Sequence, residues 1–375
     1  MRSAVLGFFA LLTFSLAQTC AGLPKLPVAT PTGYCVGIVQ RGLKMPRGIL
    51  PMGNGDLLVV EMGGWTPGKG SLSRLRKQNG KYVLQRIFTG LDRPNGITLG
   101  PDQKVYVGEA SRVFRFDPTT PQKEYVIRDL PATGRHPLKT MVFDRAGNLF
   151  LNIGSASDNC DGDKGKATCA EAATRGQIRR YTFAWPAGKV TGQSVYATGL
   201  RNSMALAVHS SGTLLQGENS RDAINLADPK ISDETHPNDE LNIVLGGKNY
   251  GWPYCYEDGK NAPEFPKYDC SETEKPTVLL PAHAAPLGMA YWSDGPGEYS
   301  GWLVVGYHGY RASGHRLVAF QVNEKGIPGG QKVELVKNWV LSGGRLGAPV
   351  DVRPMGDRIY LTDDHNGMVL AFGKP

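Results

Sequence analysis

Six times along this chain the same order of parts returns: a Pro or Arg at an entrance, an apolar stretch, a polar turn and β-rich runs. The copies begin MPRGILPMGNGDLLVVE (45–61), RPNGITLGPDQKVYVGE (93–109), HPLKTMVFDRAGNLFLNIG (136–154), RNSMALAVHSSGTLLQGE (201–218), APLGMAYW (285–292) and APVDVRPMGDRIYLTDD (348–364). Repeats of this length built from short strands cannot bury their faces alone, so neighbouring copies must stack. The expected fold is all-β, a six-bladed β-propeller around a central channel. Such a ring brings the entrances together, so His136, Arg201 and Asn202 would converge on one mouth.

Within each copy the inner strand reads as a short apolar run: LLVVE (57–61), VYVGE (105–109), LFLNIG (149–154), WLVVGY (302–307) and IYLTDD (359–364). Each follows turn chemistry such as Gly-Asn-Gly-Asp or Arg-Ala-Gly-Asn, and a second strand comes after it. Blade starts near Pro46, Pro94, Pro137, Asn202, Pro286 and Pro349 are spaced by 48, 43, 65, 84 and 63 residues. The long intervals mark insertions, at Ser155–Arg175 and Ser220–Pro281, and insertions in repeats collect on one face. Residues 20–45 are expected to supply a strand that closes the ring with the last blade, because an open propeller leaves unpaired edges.

The first residues carry a basic start at Arg2, an apolar run over 4–16 and small residues at Ser15 and Ala17. That pattern predicts a signal peptide over 1–17, leaving 18–375 as a single propeller domain in a periplasmic or secreted protein. All six cysteines survive cleavage and fall as local pairs, Cys20/Cys35, Cys160/Cys169 and Cys255/Cys270, although six cysteines allow 15 pairings. The absence of an Asn-x-Ser/Thr sequon favours a bacterial periplasm. The formal charge of +8 falls to +7 without Arg2, and its basic residues are scattered with no aromatic-interleaved stripe. Nucleic-acid binding is therefore not expected, and no apolar segment after the leader is long enough to span a membrane.

No GxSxG, HExxH, Walker A loop or complete GxGxxG is present, which removes the common hydrolase and nucleotide signatures. What stands out is polar residues at loop positions. A histidine at a channel mouth, His136, is suited to accept a proton from a substrate hydroxyl. The neighbouring entrance pairs a guanidinium with an amide, Arg201-Asn202, and arginine suits carboxylates. QGENSRD (216–222) and HPNDELNIVLGGKNYGWPYCY (236–256) gather acidic and carbonyl oxygens of the kind Ca²⁺ prefers, without the spacing of an EF-hand.

Taken in order, PRGI (46–49), RPNGI (93–97), NLFLNIGSASDN (148–159) behind His136, ATGLRN (197–202), DELNIV with GGKNYGWPYCY (239–256), GYHGYRASGHRLVAF (306–320) and the last copy resemble one family. The chain is similar to the soluble quinoprotein sugar dehydrogenases, the PQQ-dependent aldose sugar, glucose and L-sorbosone dehydrogenases. The resemblance covers most of the mature chain and implies a six-bladed propeller that oxidises a sugar with pyrroloquinoline quinone (PQQ) and Ca²⁺. It places His136 as the base and Arg201 and Asn202 against the quinone. The backbone carbonyls of Ser220 and Arg221 fall on the metal, Asp239 and Tyr250 on nearby site positions, and His308, Arg311 and Arg316 near the cofactor carboxylates. Electrons would pass on to a quinone, a cytochrome or a dye.

Arg135 stands where glucose-oxidising members carry an acid, and His283, in PAHAAP (281–286), stands in the place of a Thr. The last copy reads APVDV and lacks an arginine pair, with Arg345 close by. These departures point toward the sorbosone-type branch. Two rival readings are a Ca²⁺-dependent lactone hydrolase with Glu218, Asn219 and Asp239 as side-chain ligands, and a ligand-binding propeller without chemistry.

Overall fold

Strands that are covered on both faces read as unbroken apolar runs, and that is what the repeated β-rich segments are. The computed structural model describes residues 19–163 and 166–375; the leader expected over 1–17 lies outside them. In Leu57–Glu61, Leu57 and Val59 pack with Ile49, Tyr360 and Val369, whereas Leu58 and Val60 pack with Ile97, Val105 and Phe114. Alternate side chains of one strand thus feed the cores toward the preceding and following blades. The same division recurs at Tyr106, which faces Leu149 and Leu151 while Val105 and Val107 face back.

Six antiparallel four-stranded sheets follow one another along the chain. Blade 1 comprises Pro46–Pro51, Leu57–Glu61, Gly70–Gln78 and Lys81–Leu91; blade 2 comprises Ile97–Leu99, Val105–Gly108, Val113–Phe116 and Glu124–Ile127. Blade 3 comprises Met141–Phe143, Leu149–Ile153, Gln177–Ala184 and Lys189–Thr198; blade 4 comprises Ser203–Val208, Leu214–Glu218, Asn238–Ile243 and Val278–Ala282. Blade 5 comprises Pro286–Trp292, Trp302–Tyr307, Arg316–Val322 and Pro328–Val336. Blade 6 takes Pro349–Met355, Arg358–Asp363 and Met368–Gly373 from the C-terminus and Cys35–Gln40 from the N-terminus. Gly373 pairs with Cys35 and Val369 with Gln40, so the ring closes as expected. Only short 3₁₀ turns occur besides strands among the described residues, and no helix there is long and apolar enough to cross a membrane.

One expectation is corrected. The apolar runs are the second strand of each blade, and the innermost strand is the entrance stretch itself. First strands of successive blades touch around the full ring, and their approach is backbone to backbone. Gly48 N–H donates to Asn95 O at 2.9 Å, and a Cβ on Gly48 would lie 2.4 Å from that oxygen. Register shifts between Pro46 and Ile49, Pro286 and Gly288, and Pro349 and Val352 bend these strands. Glycines, prolines and bulges are what a tight turn also uses, which is why the innermost strand looks like an entrance loop in sequence.

The cysteines settle into the local pairs Cys20–Cys35, Cys160–Cys169 and Cys255–Cys270. The last two each close a loop inside an insertion that has little core of its own; a 15-residue loop gains about 3 kcal/mol from such a link in the chain-entropy account.

Gly48→Ala is expected to cost about 1–3 kcal/mol in a urea melt through overpacking. Gly53→Ala, with nothing within 4 Å of the added carbon, is expected to stay within about 0.5 kcal/mol of the parent. Equal effects at the two positions would refute the backbone packing.

Candidate active site

At four of the six mouths a carboxylate that ends the second strand accepts a backbone N–H from the segment entering the first. Glu61 takes Lys44 N–H at 2.8 Å, Glu109 takes Asp92 N–H at 2.7 Å, Glu218 takes Asn202 N–H at 2.8 Å and Asp363 takes Ala348 N–H at 3.3 Å. Blades 3 and 5 break this rule, with Gly154-Ser155 and Tyr307-His308 in the corresponding places.

In blade 3 the exception holds His136. A Cβ on Gly154 would sit 2.6 Å from His136 Cβ, so glycine is what lets the imidazole lie against the strand end. His136 Nδ1 lies 2.8 Å from Ser155 Oγ, and Ser155 Oγ donates its hydrogen to Ser157 O at 2.7 Å. A hydroxyl has one hydrogen to give, so Ser155 must accept from His136 Nδ1–H. That assigns the lone pair to Nε2, which makes no hydrogen bond among the described residues. Burial and the guanidinium groups of Arg201 and Arg135 push the imidazole pKa down to about 2, keeping the ring neutral. Ser157 Oγ is itself held by Glu171 at 2.7 Å, so the first insertion fixes the orientation of the imidazole.

His136 shares a pocket of about 280 Å³ with Arg201, Asn202, Asp239, Arg311 and His283. The buried Arg201 side chain donates to Asp158 O at 3.1 Å and Asn219 O at 2.9 Å, and its Nη2 reaches Asp222 at 3.3 Å. Asn202 Oδ1 is buried and has no partner, an acceptor left open at the pocket wall. Asp222 lies 3.5 Å from His283 Nδ1 and 3.6 Å from Arg135 Nη2, and its contact with His283 leads the causes that lower its pKa to about 2. Arg311 reaches into the same space while anchored on Asp233 O at 3.0 Å and Glu234 at 2.9 Å.

Ser220 N–H and Ala285 N–H donate to the two oxygens of Asp239 at 2.8 and 2.6 Å, and burial raises this carboxyl to about 6. No donor reaches the carbonyl oxygens of Ser220 or Arg221 among the described residues. Ser220 lines the His136 pocket and Arg221 the small neighbouring cavity, and two consecutive free carbonyls suit a hard cation. Glu218 accepts from Asn202 N–H and Ser203 O–H, and Asn219 Nδ2 donates to Asn202 O and Pro286 O. Glu218 and Asp239 are thus engaged with backbone and hydroxyl partners, whereas Asn219 uses only its Nδ2 and its Oδ1 takes no donor among the described residues.

The remaining expected residues lie apart from this pocket. Tyr250 donates its hydroxyl to Ile243 O at 2.6 Å within the blade 4 insertion, beside a small cavity that also holds Glu240. His308 Nε2 bonds Asp364 of the neighbouring blade 6 at 2.9 Å, and Arg47 Nη1 bonds the other Asp364 oxygen at 2.6 Å. Arg316 is turned to Glu334 and Ala312 O on the outer side of blade 5. Arg221 pairs with both oxygens of Glu264 at 2.6 and 2.7 Å.

Sequence reasoning passed over Ser155, Asp158, Asp222 and Lys139. Lys139 is fully buried, and its ammonium donates to Pro131 O at 2.8 Å and Pro137 O at 2.5 Å, the two flanks of the loop carrying His136. Burial pushes its pKa down from 10.5 to about 7. Between those values the unfolded chain binds more protons, so stability rises with pH across that window. Lys139→Met should flatten the rise between pH 7 and 10.5 in urea melts; an unchanged slope would refute the buried ammonium. A second expectation concerns the tautomer. ¹⁵N-histidine spectra should show His136 as Nδ1–H in the parent and as a tautomer mixture in Ser155→Ala, with Ser155→Thr restoring the parent signal.

Comparison with known proteins agrees with this architecture. The TrAA12-like family model matches residues 28–269. A pyrroloquinoline quinone-dependent pyranose dehydrogenase of Coprinopsis cinerea is 29% identical over 325 residues, covering 73% of this chain and 42% of that protein. The chain therefore spans less than half the length of that relative. The holo PQQ domain of the Coprinopsis cinerea pyranose dehydrogenase superposes with a TM-score of 0.75 at 21% identity, covering 95% of this chain and 100% of that one. A calcium structure of the Trichoderma reesei family AA12 enzyme gives 0.73 at 19% identity, covering 94% and 98%. These two likenesses establish the fold, and the family model establishes the kinship: the chain belongs to the TrAA12-like family.

Proposed function

We propose that this chain is a periplasmic or secreted sugar dehydrogenase that uses PQQ and Ca²⁺ to oxidise an aldose or related sugar aldehyde. The observation that carries the reading is a neutral histidine whose Nε2 lone pair is free in the same pocket as Arg201, Asn202 and the open carbonyl of Ser220. The donor set fits the group. Arg201 and Arg311 are cations suited to a planar polyanion, the orphaned Asn202 Oδ1 waits for a donor, and the Ser220 and Arg221 carbonyls suit Ca²⁺. Three disulfides agree with an oxidising compartment.

When bound, PQQ supplies the two-electron acceptor for the hydride that leaves the sugar carbon. His136 Nε2 takes the hydroxyl proton, so the sugar loses one hydride and one proton in total. Ser155 keeps the accepting nitrogen unprotonated beforehand. Arg201, itself buried, brings a fixed positive charge to the place where negative charge would grow. An anion seated beside Arg201 would also offset the field that depresses the His136 pKa, making the base stronger once the site is filled. The lactone hydrolase alternative loses support, because the carboxylate oxygens of Glu218 and Asp239 are already hydrogen-bonded within blades 4 and 5.

Adding PQQ and Ca²⁺ to the purified protein should change the cofactor absorption spectrum and permit aldose-dependent reduction of a dye. His136→Ala should keep the spectral change and lose turnover by a factor on the order of 10²–10⁴. No spectral change and no turnover over a broad aldose panel would sink the proposal.

A further inference from the structure

A groove of about 1010 Å³ opens beside the His136 pocket. It shares Asp222 with that pocket, and Arg135, the residue before the base, forms its near end. One wall comes from the insertion after Ser155 and the other from the insertion after Ser220, each held by its own disulfide. Behind the second wall the buried pair Arg221–Glu264 fixes the turn that begins at Pro263. The groove is thus a built channel that leads away from the reacting atoms.

Its lining is mixed in a particular way. Tyr268 stacks on Tyr254 with centroids 4.2 Å apart and planes 6° from parallel, and Phe265 meets Tyr254 edge-on at 4.9 Å. Leu226, from the same insertion, stands 83% exposed at the groove. Several of the charges neutralise each other: Asp158 pairs with Arg201, Arg221 with Glu264, and Asp222 with Arg201 and Arg135. Such a surface offers apolar faces and hydrogen-bonding edges with little net field. It suits a neutral polyhydroxylated chain, whose rings have apolar C–H faces and polar rims, better than a polyanion. The volume stands at the top of the range for drug-sized ligand pockets, several times what a single sugar ring fills.

We propose that this groove is an extended saccharide subsite, so that the substrate is a neutral oligosaccharide whose reducing-end ring reacts at His136 while the remaining rings lie between the two insertions. The inference rests on the sugar-dehydrogenase reading and deepens it to a substrate class. Adjacency to the base argues for this occupant, since a ring seated beside Arg135 and Asp222 lies next to one seated over His136.

The test uses the full protein without cofactor and alditol-terminated malto- and cello-oligosaccharides, which lack the oxidisable end, with affinity read by calorimetry. A tetrasaccharide alditol should bind about tenfold or more tighter than sorbitol, as expected when added rings gain contacts in a pre-formed site. Tyr268→Ala and Leu226→Asp should each pull that ratio toward one; Leu226 is exposed enough for its change to leave folding intact. Equal affinity for sorbitol and the tetrasaccharides, or a length dependence that both variants preserve, would overturn the subsite. Length-dependent binding in a protein that shows no PQQ-supported oxidation would keep the subsite and sink the dehydrogenase reading.

Discussion

Everything at the mouth of this ring depends on satisfying the backbone where a chain segment turns inward to become an innermost strand. Those strands lie too close to one another for side chains, as at Gly48 over Asn95 and Gly288 over Val350. Their N–H groups must find acceptors in a space with little water. Glu61, Glu109, Glu218 and Asp363 perform that task, one per blade, from the end of the adjoining strand. The structural carboxylate is the rule, and the buried imidazole of the His136 pocket sits where it lapses. Blade 3 replaces it with a glycine and a serine that admit and orient an imidazole. In blade 5 the Ala285 N–H is taken over by Asp239 of blade 4, which couples two blades at the pocket floor.

The insertions complete what the ring begins. Arg201 ties Asp158 of the first insertion to Asn219 and Asp222 at the start of the second. A buried guanidinium is costly without partners, and here it meets two carboxylates and two carbonyls. Both insertions are thereby drawn to the same edge of the channel, and the positive charge that depresses the His136 pKa is also what assembles the walls around it. A buried polar chain continues around the ring through His308, Asp364, Arg47 and Asn95. Against the cost of burial, His308 and Arg47 hold the Asp364 pKa down at about 2.

The blade count was legible because the second strands are covered on both faces and advertise themselves as LLVVE, VYVG and LFLNI. First strands were hidden by bulges and glycine, and outer strands such as Lys81–Leu91 by the exposed, polar alternation of an edge. At the site, His136 and Arg201-Asn202 could be picked out because they depart from the refrain. Ser155 departs from it too, yet a serine has many ordinary uses and its meaning depends on a carbonyl two residues on. Tyr250, His308 and Arg316 show the other limit. Their positions near the mouth are visible in sequence, but the partners they turn to, Ile243, Asp364 and Glu334, are set by cross-strand packing.

The sixth blade is assembled from both ends of the chain, with Cys35–Gln40 laid against Met368–Gly373. A ribosome releases the first of these segments long before the second exists. Until the final residues emerge, blades 1 to 5 form an arc with a bare apolar face at each end, and Cys35–Gln40 has no partner strand, which makes it a template for pairing with another chain. The loop between Cys20 and Cys35 can close early, holding its strand in a short local fold with Leu23–Pro24. In an oxidising compartment the N-terminal disulfide can hold the ring's first strand in place until its last one arrives to pair with it.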